Sequence, residues 1–428
     1  MRIFEQLESQ VRSYIRSFPA IFATAEGAKL TDDYGNEYID FFAGAGTLNY
    51  GHNNPMVSEA LIEYIKGNGV IHGLDLATTA KRDFLETFYN TILQPRHMEY
   101  KVQFTGPTGT NAVETALKIA RMVKHRSNVI SFTNGFHGLT MGSVAVTGNA
   151  FYRDESFINR TNVSFMPFDG YLGPEVNTAE YLKKFLDDYS SGVDLPAAII
   201  LETVQAEGGV NVASNEWLRE VEQICRAYDI LLIVDDIQVG NGRTGTFFSF
   251  ESSGISPDII TLSKSIGGGL PLAMVLLRPE LDQWRPGEHT GTFRGNNLAF
   301  VAATKLFSYW QGNDITDAVA YRENIIRERL TEIAAKYPQL EATVRGRGMI
   351  NGLKIPAQNF CSEVSKEAFS RGLIIELAGA NDDVLKLLPP LIIEEEVLRA
   401  GLNIIDEAIG AVLEKKENLV TGNGNDYS

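Results

Sequence analysis

Two apolar runs that each end in polar residues constrain the fold of this chain most. Residues 229–240 read Asp-Ile-Leu-Leu-Ile-Val-Asp-Asp-Ile-Gln-Val-Gly, and residues 258–269 read Asp-Ile-Ile-Thr-Leu-Ser-Lys-Ser-Ile-Gly-Gly-Gly. Continuous apolar runs of this kind are typical of parallel strands that are buried on both faces. We therefore expect two buried strands, with Asp235 at the carboxyl end of the first and Lys264 just after the second.

Lys264 and Asp235 together suit one kind of cofactor chemistry. A lysine held at a strand end against flexible backbone can be desolvated and kept neutral, as an amine that forms a Schiff base must be. Pyridoxal phosphate needs such a lysine, and it also needs an aspartate that keeps its ring nitrogen protonated. Taken singly, Lys264 could be a solvated lysine before a turn, and Asp235 a turn or helix cap. The pair at two strand ends favours a pyridoxal phosphate site.

A binding site for the cofactor phosphate is predicted within residues 104–121. Asn111 and Glu114 have the spacing of a helix capping pair, and apolar residues follow at helical intervals. Gly109 and Thr110 would then lie at the amino end of a helix, where backbone N–H groups and a hydroxyl can bind an anion. Many helices that bind no phosphate begin in the same way, so this segment alone is weak support.

Two further side chains are candidates for contacts with the cofactor ring. Gln238 follows Asp235 by three residues, within reach of the ring hydroxyl. Phe136, in the run 132–140, could stack on the ring, although an isolated phenylalanine is more often part of the core.

The order of these motifs along the chain resembles a known family, the class III (omega-amino) aminotransferases of PLP fold type I. The resemblance covers nearly the whole chain, and the combination is highly specific although its single parts are not. It is carried by Gly109-Thr110, Phe136-His137-Gly138, Glu202, Glu207-Gly208-Gly209, Asp235-Asp236-Ile237-Gln238, Lys264 and Thr292.

The resemblance implies a fold and a role for each residue. The fold would be α/β, with a large doubly wound, mostly parallel sheet domain and a smaller α+β domain. Lys264 would be the Schiff-base lysine and Asp235 the partner of the pyridine nitrogen. The remaining cofactor contacts would come from Gly109, Thr110, Phe136, Gln238 and Thr292. Thr292 would reach the phosphate of the neighbouring subunit's cofactor, so the smallest active unit would be a homodimer, with a tetramer left open.

Within the family, three stretches are similar to members that supply the first step of ectoine synthesis: residues 4–14, 41–52 and 385–390. The implied reaction moves an amino group from L-glutamate to L-aspartate 4-semialdehyde and gives L-2,4-diaminobutyrate and 2-oxoglutarate. A class III enzyme acting on ornithine or 4-aminobutyrate is the main alternative. Another PLP enzyme, such as an aminomutase or decarboxylase, stays open; a non-catalytic PLP-binding regulator is disfavoured because the chain starts with aminotransferase-like sequence.

Glu207 and Lys386 are the predicted substrate-binding residues. In the family, the glutamate matching Glu207 pairs with a cation and swings away when the carboxylate of glutamate must bind. Many members have arginine where this chain has Lys386. Lysine offers a point charge, whereas the guanidinium group of arginine can donate two parallel hydrogen bonds, so lysine would bind a carboxylate less directionally. A solvated Lys386 ahead of the Pro389-Pro390 turn is the alternative.

The length of 428 residues favours one large domain with a lesser one. Strand and helix patterns alternate through residues 56–310, which predicts the large cofactor-binding domain there. Residues 311–428 would form the small domain, joined by residues 1–55. Residues 415–428 are polar and are expected to fray.

Composition excludes several other classes. The net charge of −16 argues against nucleic acid and anionic membranes as partners. The six histidines show no metal-ligand spacing, so no metal is expected. No apolar run approaches the roughly 18 residues of a membrane span, and no signal peptide opens the chain. Cys225 and Cys361, both in helix-like segments, suggest a reducing compartment. We therefore expect a cytoplasmic enzyme whose partners are small-molecule substrates.

Overall fold

The computed structural model describes residues 1–156 and 161–422. Within these ranges it contains seventeen strands. They are β1 (Phe22–Glu26), β2 (Lys29–Asp32), β3 (Glu37–Asp40), β4 (Lys101–Phe104), β5 (Val129–Phe132), β6 (Val163–Met166), β7 (Ala198–Leu201), β8 (Val204–Gln205), β9 (Asn211–Val212), β10 (Leu231–Asp235), β11 (Ile259–Leu262), β12 (Met274–Leu277), β13 (Thr343–Arg347), β14 (Ile350–Lys354), β15 (Leu373–Ile374), β16 (Glu376–Ala378) and β17 (Val384–Leu387).

Thirteen α-helices lie in the same described ranges. They are α1 (Arg2–Leu7), α2 (Tyr14–Ser17), α3 (Ala43–Gly46), α4 (Pro55–Lys66), α5 (Thr79–Phe88), α6 (Gly109–Lys124), α7 (Met141–Ala145), α8 (Thr178–Asp187), α9 (Asn215–Ala227), α10 (Asn297–Leu306), α11 (Asp314–Lys336), α12 (Phe360–Ser370) and α13 (Glu395–Gly422). None of the helices described here is both long and apolar enough to cross a membrane.

The central sheet has seven strands in the order β4-β12-β11-β10-β7-β5-β6. Strand β12 pairs antiparallel with both β11 and β4, whereas β11, β10, β7, β5 and β6 pair parallel with one another. The predicted α/β class with a mostly parallel sheet is therefore confirmed. The carboxyl ends of β10 and β11 lie side by side, because Asp235 pairs in register with Thr261.

Both faces of this sheet are buried, which explains the unbroken apolar runs. In β10, Leu231 and Ile233 belong to one hydrophobic core, while Leu232 and Val234 belong to the other. Helix α6 contributes its apolar side to the first core, and α9 packs in the second. Helices thus cover the sheet on both sides, as in a doubly wound fold.

A second structural unit surrounds β13, β14, β17 and β16, which form a four-stranded antiparallel sheet. A third sheet joins distant parts of the chain: β3 pairs parallel with β15, so residues 37–40 lie beside residues 373–374. The predicted domain boundaries stay predictions. Helix α13 extends to Gly422, and residues 423–428 of the segment expected to fray lie outside the described residues.

Candidate active site

A cleft of about 200 Å³ lies at the carboxyl edge of the central sheet. The short turns after β10 and β11 supply one side of it, and the amino end of α6 supplies another. It is lined by Gly109, Thr110, Phe136, His137, Gly138, Glu202, Glu207, Asp235, Ile237, Gln238, Val239 and Lys264. The structure thus brings together seven of the nine residues predicted from the sequence to act in catalysis or to bind cofactor or substrate. Thr292 and Lys386 are not among the residues lining this cleft.

Lys264 begins a short 3₁₀ turn directly after β11 and has a left-handed backbone, with φ of 51°. Its Nζ donates a hydrogen bond of 2.9 Å to the carbonyl oxygen of Ala45. Burial lowers the pKa of this amine, and the nearby carboxylate of Glu207 offsets only part of that effect. The site therefore makes loss of the proton easier than it is in water, and the neutral amine is the form that can act as a nucleophile or a base.

The carboxylate of Asp235 is positioned by contacts with three neighbouring groups. Its Oδ2 lies 2.7 Å from Nδ1 of His137, and its Oδ1 accepts from the Thr261 hydroxyl at 3.2 Å and from the Ile237 amide at 3.2 Å. Burial opposes a charged His137, but the hydrogen bond to Asp235 and the nearby negative charge, that of Asp235 above all, together raise the pKa of the imidazole. A protonated His137 would place a positive charge against the Asp235 side chain inside the protein.

The amino end of α6 has the properties expected of an anion site. Thr108, the residue before the helix, makes no side-chain capping bond. Gly109 is packed so closely that a Cβ there would lie 3.1 Å from the Ile237 side chain. Gly138 approaches Thr110 from the opposite loop, where a Cβ would lie 2.5 Å from the Thr110 hydroxyl oxygen. Small residues on both sides therefore leave the first turn of the helix open to a ligand.

The capping pair predicted from Asn111 and Glu114 is wrong. The helix begins two residues earlier, at Gly109, so Asn111 lies inside the first turn. Glu114 does not reach back along its own helix. Its Oε1 accepts from the hydroxyl of Thr140 at 2.6 Å and from the amide of Gly142 at 2.8 Å. This long-range contact fastens the loop after Phe136 to α6.

Phe136 and Gln238 line the same cleft as Asp235. The amide of Phe136 donates to Glu202 at 3.0 Å, and burial raises the pKa of Glu202 to about 8. Gln238 donates through Nε2 to the Ala45 carbonyl at 2.8 Å and to Glu207 at 3.0 Å. The buried Oε1 of Gln238 has no hydrogen-bond partner. A buried acceptor left unpaired is costly, so this atom points to a donor that the protein itself does not provide.

Glu207 extends from the cleft to Lys386, which lies behind it. Nζ of Lys386 is 2.6 Å from Glu207 Oε1 and 3.0 Å from Glu376 Oε2, and the Lys386 side chain is 0% exposed. The reading of Lys386 as a solvated lysine is therefore wrong. Burial opposes ionisation of Glu207, but the charges of Lys386 and Lys264 lower its pKa to about 2. Glu207 is thus a carboxylate at neutral pH.

Thr292 lies on an exposed stretch, and its carbonyl oxygen contacts Nε2 of His72 at 2.9 Å. The neighbouring Phe293 is 66% exposed. The resemblance assigned Thr292 to the cofactor of a second subunit, a contact that a single chain does not contain. Its role stays a prediction.

The chain matches a known protein family over most of its length. Residues 12–409 match the family Aminotransferase class-III. The chain therefore belongs to the class III aminotransferases, and its cofactor is pyridoxal 5′-phosphate, as the resemblance implied.

Individual relatives narrow the comparison. A protein of Wolinella succinogenes is 70% identical over 97% of this chain and 98% of its own length, and one of Bordetella parapertussis is 56% identical over 97% of both chains. Both carry the name diaminobutyrate–2-oxoglutarate transaminase. Among solved structures, the ornithine aminotransferase of Toxoplasma gondii has a TM-score of 0.84 and 26% identity, covering 97% of this chain and 94% of that one.

The cleft fits this cofactor part by part. Gly109 and Thr110 would hold the phosphate, and the unpaired Oε1 of Gln238 would accept from the ring hydroxyl. Phe136 would lie against the ring and Asp235 would hold its nitrogen protonated. Sequence reasoning assigned no role to His137, Glu376 or the Ala45 carbonyl. The Phe-His-Gly run was a signal for His137, whereas nothing local marked the other two.

Proposed function

We propose that this chain moves an amino group from L-glutamate to L-aspartate 4-semialdehyde and gives L-2,4-diaminobutyrate and 2-oxoglutarate. The observation that carries the proposal is the 70% identity, across nearly the whole of both chains, to a protein named diaminobutyrate–2-oxoglutarate transaminase. That name contains one product and one keto acid. Exchanging the amino and oxo groups between them gives glutamate and the semialdehyde as the other pair. This reaction would be the first step of ectoine synthesis.

The residues at the strand ends carry the proton chemistry. When bound, pyridoxal phosphate supplies an aldehyde that bonds to amines and a protonated ring that accepts electrons. Lys264 would take the proton from the substrate carbon, a role that the lowering of its pKa by burial supports. It then returns a proton during the second half of the cycle. Asp235, supported by His137, holds a negative charge against the ring nitrogen.

Glu207 and Lys386 are proposed to handle the substrate's distal charges. Glu207 lines the cleft and is ionised, so it attracts an ammonium group. The turn that carries Glu207 links β8 to β9 and contains Gly208 and Gly209, with φ of 116° at Gly209. A side chain on such a turn can rotate away from Lys386 when glutamate enters. The same cleft could then accept an amine substrate in one half-reaction and a dicarboxylate in the other.

A homodimer is proposed as the smallest active unit. The exposed segment around Thr292 and Phe293 supports this, because it presents apolar surface where the resemblance places the neighbouring subunit. The buried, unpaired Cys225 and Cys361 fit a reducing compartment, so we place the enzyme in the cytoplasm.

The experiment is an amino-transfer assay with the purified protein loaded with pyridoxal phosphate. Glutamate and aspartate 4-semialdehyde are supplied, and formation of 2,4-diaminobutyrate is followed by chromatography. In the reverse direction, 2,4-diaminobutyrate, ornithine and 4-aminobutyrate are compared as amino donors to 2-oxoglutarate. The proposal requires the highest kcat/KM for diaminobutyrate. A higher value for ornithine or 4-aminobutyrate would replace it with the alternative function.

A further inference from the structure

A second carboxylate, Glu376, lies beside Lys386 behind the cleft. Glu376 in β16 and Lys386 in β17 are directly opposed in an antiparallel register. The Oε2 atom of Glu376 is 3.0 Å from Nζ of Lys386, and the Glu376 side chain is only 6% exposed. Lys386 therefore has two counter-ions, one on a strand and one on the turn that carries Glu207.

The two carboxylates differ in how firmly they are held. Glu376 is fixed by its strand pairing and by the hydroxyl of Tyr14, which donates to its Oε1 at 2.6 Å. Glu207 accepts from Gln238 Nε2 at 3.0 Å, but it belongs to a glycine-containing turn, its side chain is 26% exposed, and it faces the cleft. If one carboxylate leaves Lys386 during the reaction, it is Glu207, and Glu376 stays.

When Glu207 turns away, the net charge that remains at Lys386 depends on the presence of Glu376. A buried lysine paired only with Glu207 would become an uncompensated charge when Glu207 turned away, and it would bind an incoming carboxylate strongly. Burial and the charge of Glu207 raise the pKa of Glu376, whereas Lys386 and the Tyr14 hydroxyl lower it, so departure of Glu207 favours the ionised carboxylate. With ionised Glu376 in place, the remaining Lys386–Glu376 pair is close to neutral, and a carboxylate that reaches Lys386 also meets the negative charge of Glu376. An ammonium group near Glu207 meets no such repulsion.

We propose that Glu376, positioned by Tyr14, is a further specificity-determining residue: a permanent counter-ion of Lys386 that weakens binding of dicarboxylates and favours substrates carrying an additional ammonium group. The inference rests on the proposed function, in which glutamate is the dicarboxylate and diaminobutyrate carries the additional ammonium group. It assigns the substrate preference of the distal end of the cleft to three residues rather than to Glu207 and Lys386 alone.

The test compares Glu376→Gln with the unmodified protein, because the amide keeps the shape and removes the charge. Glutarate, a dicarboxylate without an amino group, is titrated into each loaded protein by calorimetry. We expect glutarate to bind about tenfold more tightly to Glu376→Gln, equivalent to about 1.4 kcal/mol. In single turnover, the glutamate concentration that gives half of the maximal rate should fall, while that of 2,4-diaminobutyrate should rise. Glu376→Asp, which restores the charge, should return both values toward those of the unmodified protein.

Equal changes in both half-reactions, or unchanged glutarate binding, would overturn the proposal. If Glu376→Gln does not fold, Tyr14→Phe tests the proposal instead. This variant removes only the hydroxyl that stabilises the ionised carboxylate of Glu376. It should tighten glutarate binding in the same direction by a smaller factor, and no tightening would count against the proposal. Failure of the proposed function is separate: the unmodified protein would not react with diaminobutyrate, while the glutarate titration would still test Glu376.

Discussion

The imidazole of His137 lies 2.7 Å from the carboxylate of Asp235, and both side chains are almost completely enclosed. Asp235 faces the cleft, whereas His137 also holds the loop that carries Phe136, since its amide donates to Thr147 at 3.0 Å. The pair therefore joins the charge that would act on the cofactor ring to the position of the aromatic residue beside it.

His137→Gln should destabilise the protein in a pH-dependent way. The folded pKa of His137 is raised above its ordinary value, so the stabilising contribution of the pair is complete below the unfolded pKa of about 6.5 and is lost as pH rises through the folded pKa. We expect a loss of about 1.5–3 kcal/mol at low pH, typical of a hydrogen bond to a charged group. Urea unfolding of both proteins from pH 6 upward measures it. A difference that stays constant with pH would show that the charge of His137 is irrelevant.

Lys264→Ala should abolish turnover and leave the fold intact. The variant lacks the amine that moves the proton, and general acid–base catalysis contributes about 10²- to 10⁴-fold. Lys264→Arg is the matched control, because it retains a long basic side chain that cannot be deprotonated. We expect both variants to lose single-turnover transfer from glutamate and to keep the unmodified melting temperature. Substantial transfer by either one would remove Lys264 from its proposed role.

Asp235→Asn should retain the cofactor but lose most of the rate. A neutral amide cannot hold the ring nitrogen protonated, and a charge-assisted hydrogen bond contributes about 1.5–3 kcal/mol, or about 10- to 150-fold. Exchange of the glutamate alpha proton with solvent reports the step directly. Thr261→Val is a suitable comparison, since it removes one hydrogen bond to Asp235 at 3.2 Å and leaves the charge in place. Unchanged exchange in Asp235→Asn would assign Asp235 another role.

Local sequence patterns were sufficient to predict the strand ends. The apolar runs before Asp235 and Lys264 encode strands buried on both faces, and adjacent parallel strands place their carboxyl ends together. The partners of these residues were not predictable in this way. His137 precedes Asp235 by 98 residues, and the carbonyl that accepts from Lys264 belongs to Ala45, 219 residues away.

The wrong capping prediction and the wrong alternative for Lys386 have the same physical origin. Glu114 has the spacing of a capping residue, but a contact with the loop at Thr140 outcompetes the local bond. Lys386 precedes a proline turn, which left a solvated lysine open as the alternative to a substrate-binding role, yet its strand register places it opposite Glu376. In both cases, a carboxylate or hydroxyl from a distant part of the chain determines the contact that the side chain makes. Such contacts depend on tertiary structure, and the register across a sheet cannot be obtained from one segment alone.

Gly138→Ala should weaken cofactor binding more than it weakens the fold. Gly138 has φ of 111°, and an added Cβ would lie 2.5 Å from the Thr110 hydroxyl oxygen. The added methyl group must therefore displace Thr110, which is proposed to bind the phosphate. Gly170→Ala is the matched control, because Gly170 also has positive φ, 70°, but has open space around it. Backbone strain costs of order 1–3 kcal/mol in either variant. Titration of pyridoxal phosphate into the two apoproteins should show a dissociation constant raised about tenfold for Gly138→Ala alone, about 1.4 kcal/mol. Equal affinities in the two variants would place the phosphate away from Thr110.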